Sequence, residues 1–144
     1  MYLPQEAEQV LRENVKFCFN DKFIVIDEDA EWFEANLGLK NSNSSFISFY
    51  TLVAFPPVGN GSELLTLDSI MENAEYDQQE FPDGIGTRYL RFTSSEGEAS
   101  YYFDVVTDKV YDVAWGEEED LMNGKHPILF STFFSFLQNY YKKT

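Results

Sequence analysis

The hydrophobic and polar positions between Gly86 and Trp115 alternate with the two-residue period of a β-sheet. Aromatic and β-branched residues fill three runs, 87–93, 99–106 and 110–115, which predicts three consecutive strands. The segments between them, 94–98 and 107–109, contain Ser, Gly and Asp, which tolerate the backbone geometry of turns. The pattern therefore predicts an antiparallel array at the centre of the chain.

The alternation also predicts which strand side chains share a face. An odd-length turn after the second strand pairs Val106 with Val110 and Phe103 with Val113. One face then carries Leu90, Phe92, Tyr101, Phe103, Val105, Tyr111, Val113 and Trp115. On the other face Asp104 meets Asp112, a like-charge pair that costs up to about 1 kcal/mol unless Arg91 compensates it diagonally. That face is either simply solvated or a carboxylate-bearing surface for a cationic partner.

Helical spacing and capping residues predict helices before and after the sheet segment in the sequence. We expect one at about 4–17, one from Asp27 to Gly38 and one of about ten residues capped by Thr66 or Asp68. A closing helix at about 129–141 presents a broad apolar surface, rich in Phe, for packing across the sheet. The expected fold is α+β: one domain, 1–144, with helices on one face of a single twisted, mainly antiparallel sheet.

Three further segments are predicted outside the helices. Residues 23–26 and 63–66 are predicted to form short strands. Residues 46–55 are predicted to form a longer strand, because apolar residues alternate along this segment. Both sides of 46–55 are apolar, which favours an interior strand. The Pro- and Gly-rich segment 56–62 breaks the chain, and it lacks the Gly-Lys-Ser/Thr ending of a phosphate-binding loop.

The charge balance narrows the choice of partners. Ten Lys and Arg residues stand against 25 Asp and Glu residues, a formal net charge of −15. Such a field repels nucleic-acid backbones and attracts basic surfaces, although acidity can also serve solubility alone. The run Glu117, Glu118, Glu119 and Asp120 is either a solvated loop or a surface that receives Lys or Arg from a partner.

Candidate catalytic chemistry is sparse. Cys18 is the single cysteine, flanked by Phe17 and Phe19, which excludes an internal disulfide and indicates a small buried residue. His126 is the single histidine, and no Gly-x-Ser-x-Gly motif occurs. The chain is therefore expected to have no catalytic residues, no cofactor and no metal. The amino terminus lacks a signal-peptide pattern and no stretch is long enough to span a membrane, so we expect a cytoplasmic protein with no membrane partner.

Over about the last 80 residues the chain resembles the SUKH superfamily. The similarity begins with ELLTLDSIM at 63–71 and FPDGIG at 81–86. It is clearest in YYFD at 101–104 followed by KVY at 109–111, which resembles the Phe-Asp hairpin of that family. It ends in FSTFFSFL at 130–137, which is similar to the closing helix.

The resemblance implies a binding role without catalysis. Members include bacterial immunity proteins, which sequester a toxin that is often a basic nuclease, and fungal regulators of cell-wall glucan synthesis. An immunity protein is the first expectation, a regulatory or scaffold protein the second and a small hydrolase using Asp104, Asp112 and His126 the third. The expected partner surface comprises Tyr102, Asp104, Asp112, Glu117, Glu118, Glu119 and Asp120.

Overall fold

Helices and a three-stranded antiparallel sheet form the described part of this chain. The computed structural model describes residues 9, 13, 27–40, 44–53, 56, 58–94 and 99–141. In chain order the elements are α1 (Asp27–Leu37), α2 (Ser45–Leu52), α3 (Leu67–Glu80), β1 (Tyr89–Arg91), β2 (Ala99–Asp104), β3 (Val110–Ala114), α4 (Glu118–Met122) and α5 (Phe133–Tyr140). The strands lie in the order β1-β2-β3, and both neighbouring pairs are antiparallel. The predicted α+β class and the three predicted strands are confirmed.

Some predictions concern residues outside those that the structure describes. Within the predicted helix 4–17 only Gln9 and Glu13 are described, and both are helical. Cys18, the predicted strand at 23–26 and most of the predicted turn at 94–98 lie outside the described residues. The helix from Asp27 is confirmed, and it ends at Gly38, whose φ of 68° suits glycine.

The first face of the sheet carries Leu90, Phe92, Tyr101, Phe103 and Val110, and it holds the main core. Helices α2 and α5 pack on this face. The ring of Phe46 stacks on that of Phe103 with 4.6 Å between centroids, and Phe136 meets Phe92 edge-on at 5.2 Å. The predicted packing of the Phe-rich closing helix across the sheet is therefore confirmed.

The predicted register between the second and third strands is wrong. Phe103 pairs with Val110 and Ser100 pairs with Val113. Tyr111 and Val113 therefore lie on the second face with Tyr89, Arg91, Ser100, Tyr102 and Asp104, and Trp115 is 70% exposed instead of buried in the main core. Asp104 and Asp112 consequently lie on opposite faces of the sheet, and the predicted like-charge pair does not form.

The cause of the register shift is the side chain of Asp104. Its carboxylate accepts hydrogen bonds from the backbone N–H of Val106 at 2.9 Å and from the Thr107 hydroxyl at 2.7 Å. The backbone N–H of Asp104 in turn donates to the Lys109 carbonyl at 2.9 Å. With these bonds residues 105–108 form the turn. Strand β2 therefore ends at Asp104, and it does not include Val105 and Val106 as their hydrophobicity predicted.

Asp108 closes this turn with a positive φ of 66°, a conformation that Asp tolerates better than most residues. Its carboxylate accepts hydrogen bonds from the Ser45 hydroxyl at 2.8 Å and from the backbone N–H of Phe133 at 3.1 Å. Burial raises the pKa of Asp108, although these two bonds act in the opposite direction. The turn is thus joined to the first residues of both α2 and α5.

The strand predicted at 46–55 is wrong, because the chain forms a helix there as far as Leu52. Helix α2 begins after Ser44, whose hydroxyl accepts a hydrogen bond from the backbone N–H of Ile47 at 3.3 Å. Residues 44–50 are all buried, so the segment is surrounded by protein. An apolar helix of this kind shows no polar face, and its sequence is therefore easily mistaken for that of a buried strand.

The remaining elements largely follow the predictions, with shifted bounds. Thr66 caps α3, which runs past the expected ten residues to Glu80, and Leu64 pairs with Thr93 where the short strand at 63–66 was expected. Helix α5 begins at Phe133 instead of 129, because Phe130 makes backbone bonds with Val110 and Thr132 supplies the cap. The acidic run expected as a loop forms the short helix α4.

Candidate functional site

A cleft with acidic and aromatic walls opens beside the second face of the sheet, and we call it the acidic cleft. Its volume is about 290 Å³. The end of α3, the strands β2 and β3 and the start of α4 meet there. Its lining consists of Tyr76, Asp77, Glu80, Phe81, Arg91, Ser100, Tyr102, Val113, Trp115 and Glu118.

A buried ion pair forms the floor of the acidic cleft. The Arg91 guanidinium lies 3.3 Å from the Asp77 carboxylate, and the two side chains are 19% and 8% exposed. Burial raises the pKa of Asp77 by more than the attraction and hydrogen bond of Arg91 lower it, and repulsion from Glu80 and Glu118 adds to the rise. Nε of Arg91 is buried and has no hydrogen-bond partner among the described residues.

Two hydroxyl groups project from β2 into the same cleft. Ser100 and Tyr102 are 4% and 6% exposed, and they point to the second face two positions apart. Neither hydroxyl oxygen is a buried atom without a hydrogen-bond partner; within the described part of the chain that condition holds only for Nε of Arg91. The pKa of Tyr102 is raised well above its ordinary value, first by burial and then by the charge of Asp77.

Exposed aromatic rings stand at the rim of the acidic cleft. Tyr76 on α3 is 64% exposed and Trp115 after β3 is 70% exposed. Side chains of this size are usually covered, and exposed Trp and Tyr beside polar groups are typical of binding surfaces. The cleft thus combines aromatic rims with three carboxylates, of Asp77, Glu80 and Glu118, and one guanidinium.

A second cleft of about 360 Å³ has the opposite charge, and we call it the basic cleft. Arg88, Lys109 and His126 line it together with Tyr89 and Tyr111. Arg88 lies over the Tyr89 ring at 5.1 Å. Because Arg88 also forms two hydrogen bonds with Asp104, at 3.1 and 3.0 Å, much of its donor capacity is already occupied.

The structure separates several residues that the sequence grouped as one partner surface. Tyr102 and Glu118 do come together, in the acidic cleft. Asp104 is fully buried: desolvation raises its pKa, but hydrogen bonds from Arg88, Thr107 and Val106 outweigh this and leave the pKa below its ordinary value. Asp112 lies exposed on the first face, beside Tyr101. Asp104 is therefore a structural residue and is not placed to meet a partner.

The acidic run divides between structural and exposed side chains. Glu117 accepts a hydrogen bond from the backbone N–H of Ala114 at 2.9 Å and contacts Nε2 of His126 at 3.2 Å, and these bonds lower its pKa. Glu118 accepts from the backbone N–H of Gly116 at 2.9 Å. Glu119 and Asp120 are exposed. His126 therefore faces Glu117, and the arrangement does not bring it together with Asp104 and Asp112 as the hydrolase alternative requires.

The sequence interpretation missed Tyr76 and Asp77, and it placed Trp115 in the main core. A signal for Asp77 was present: it continues the helical spacing of the buried Leu67, Ile70 and Ala74, so that a carboxylate falls on the buried side of α3. A charged residue on an apolar helix face generally needs a partner. Here that partner is Arg91, which the sequence interpretation assigned to Asp104.

No group of His, Cys, Asp and Glu side chains suited to hold a metal ion occurs among the described residues. The described helices likewise include none with the length and apolar character needed to cross a membrane. No protein-family model, no curated protein and no solved structure matches this chain. The resemblance to the SUKH superfamily therefore stays a hypothesis based on the sequence motifs.

Proposed function

We propose that this chain is a non-catalytic, cytoplasmic protein-binding domain of the immunity-protein type. Its partner is a basic protein, a toxin of the nuclease class first of all, and its acidic surface covers that partner. The observation that carries the proposal is the acidic cleft, where the exposed Tyr76 and Trp115 stand beside the carboxylates of Asp77, Glu80 and Glu118.

Two physical arguments support a basic partner. A formal charge of −15 accelerates encounter with a positively charged surface and suppresses encounter with an acidic one. Exposed Trp and Tyr side chains bury much area on association while losing little conformational freedom, and they are common among residues that dominate binding energies. The acidic cleft offers both features on one side of the molecule.

The first test identifies the partner and its effect on growth. The chain is tagged and isolated from its native host, and the proteins that accompany it are identified by mass spectrometry. We expect a basic protein whose expression alone arrests growth, and we expect co-expression of this chain to restore growth. Absence of such a partner would contradict the proposal, and a non-toxic envelope partner would point to the regulatory role instead.

A second test locates the acidic surface that steers association. The double reversal Glu119→Lys with Asp120→Lys changes two exposed side chains on α4. The control, Glu31→Lys with Glu72→Lys, changes two exposed side chains on α1 and α3. Each pair raises the formal charge by four, from −15 to −11, so that the overall field changes equally. We expect the α4 pair to slow association with the identified partner more strongly and to weaken its salt dependence. Equal effects would exclude α4 from the interface.

A further inference from the structure

We propose that the acidic cleft is a recess for one arginine side chain of the protein partner. The inference rests on the proposed protein-binding function and specifies the chemistry by which the partner is recognised. It follows from three features of the cleft: its excess negative charge, the hydroxyl groups of Ser100 and Tyr102 in its lining and its aromatic rim.

The negative charge of the cleft exceeds its positive charge, which favours binding of a further cation. The carboxylates of Asp77, Glu80 and Glu118 line it, and Arg91 is the single cationic side chain in that lining. Asp77 is held in a buried position at 3.3 Å from Arg91, while Glu80 is exposed at the opening. A guanidinium group entering from a partner would approach carboxylates that Arg91 leaves in excess, in surroundings partly removed from water, where such attraction is stronger.

The hydroxyl groups are independent of the charge argument. Tyr102 is 6% exposed and Ser100, two positions earlier on the same face, is 4% exposed, and both residues line the recess. A hydroxyl oxygen accepts hydrogen bonds, so both side chains can receive the N–H groups of a ligand that enters the recess. A guanidinium group donates five and accepts none.

The rim favours arginine over the alternatives. A planar guanidinium stacks on aromatic rings such as those of Trp115 and Tyr76, which a compact ammonium group does less well. Anionic ligands are repelled, and a second copy of this chain would bring a further charge of −15 to the contact. The volume of about 290 Å³ lies just below the range of about 300–1,000 Å³ typical of small-molecule sites, which suits a single side chain.

The test uses the isotope-labelled whole chain and a peptide probe, acetyl-Gly-Arg-Gly-amide, followed by NMR. We expect saturable shifts of the Trp115 indole N–H and of the amides near Tyr102, with a dissociation constant of about 1–10 mM. The Trp32 indole, which packs on Phe33 in α1, serves as an internal control and should not move. The same peptide with citrulline, which is neutral but similar in shape, should not bind.

Variants locate the contact. Glu80→Gln removes one exposed charge and Tyr102→Phe removes only the hydroxyl, so neither change is expected to unfold the protein. Each should weaken binding of the arginine peptide by about three- to tenfold. The matched control Glu31→Gln removes an exposed charge from α1 and should leave the dissociation constant within about twofold.

Several results would overturn the inference. Equal binding of the arginine and citrulline peptides would remove the role of charge, and equal binding of a lysine peptide would remove the preference for arginine. Binding of free agmatine at least ten times tighter than the peptide would identify a small molecule as the occupant. If the peptide fails to bind while the chain still suppresses a basic toxin, the arginine recess is wrong and the proposed function stands. If the peptide binds but no basic partner exists, the proposed function is wrong.

Discussion

The two faces of the sheet use similar aromatic side chains in different surroundings. On the first face Phe92 and Phe103 meet Phe46, Phe133 and Phe136 in stacked and edge-to-face contacts within the main core. On the second face the aromatic residues are Tyr89, Tyr102 and Tyr111, and charged side chains lie between them.

This difference shows how the fold separates stability from recognition. The first face is closed by α2 and α5, so it is stabilised by burial of apolar surface. Among the described residues the second face is covered by the small α4, the end of α3 and the segment around Ile85, and the acidic and basic clefts stay open. Tyrosine suits this position because its ring can be buried while its hydroxyl reaches a polar surface.

The largest expected loss of stability follows from truncating a core side chain on the first face. Phe103→Ala removes a ring that is 2% exposed and that stacks on Phe46 at 4.6 Å. We expect a loss of about 3–5 kcal/mol in the free energy of unfolding, because the cavity cannot fully collapse. Urea denaturation measures it, with Val106→Ala as the control at a position that is 70% exposed. A loss below about 1.5 kcal/mol would show that the first face is loosely packed.

A smaller loss of stability is expected when the buried charge of Asp104 on the second face is removed. Asp104→Asn removes the partner of Arg88 and weakens the bonds that hold the turn. Because the Arg88 side chain is 46% exposed and can be hydrated, we expect a loss of only about 1–3 kcal/mol. The matched variant Asp112→Asn changes an exposed strand aspartate and should stay within about 0.5 kcal/mol. Similar losses for both variants would refute the opposite placement of the two carboxylates.

The two buried carboxylates of the second face should respond to pH in opposite directions. The pKa of Asp104 is lowered on folding, so its contribution is complete above the unfolded value of about 3.9 and is lost as pH falls through the folded value. The pKa of Asp77 is raised, so its contribution is greatest below about 3.9 and declines as pH rises through the folded value.

Denaturation at several pH values measures whether the two contributions to stability change with pH in opposite directions. As pH rises from about 3, the stability advantage of the wild type over Asp104→Asn should grow. Over the same range the stability of Asp77→Asn relative to the wild type should improve. Parallel changes in the two variants would contradict the assignment of opposite shifts.

The smallest expected effect on stability is at the rim of the acidic cleft. Trp115→Ala and Tyr76→Ala truncate side chains that are 70% and 64% exposed. Each should change the free energy of unfolding by no more than about 0.5 kcal/mol, because little buried area is lost. Thermal denaturation provides the measurement. A loss comparable to that of Phe103→Ala would mean that these rings support the fold and are not kept for binding.

The sequence predicted elements better than it predicted their relations. The three strands, α1, α3 and the packing of the closing helix followed from local periodicity and capping. The register did not, because it depends on the hydrogen bonds by which Asp104 closes the turn. Helix α2 was missed because residues 45–50 are all buried and show no polar face. The acidic cleft was missed because α3, the sheet and α4 form it jointly, and no single segment carries its pattern.

Asp108 joins parts of the chain that are far apart in the sequence. Its carboxylate reaches Ser45, 63 positions earlier in the chain, and the backbone of Phe133, 25 positions later. Both hydrogen bonds depend on where the left-handed conformation of Asp108 places its carboxylate. Three distant stretches of chain are thus committed to the native arrangement at one point, and they are expected to appear and to be lost as one cooperative unit.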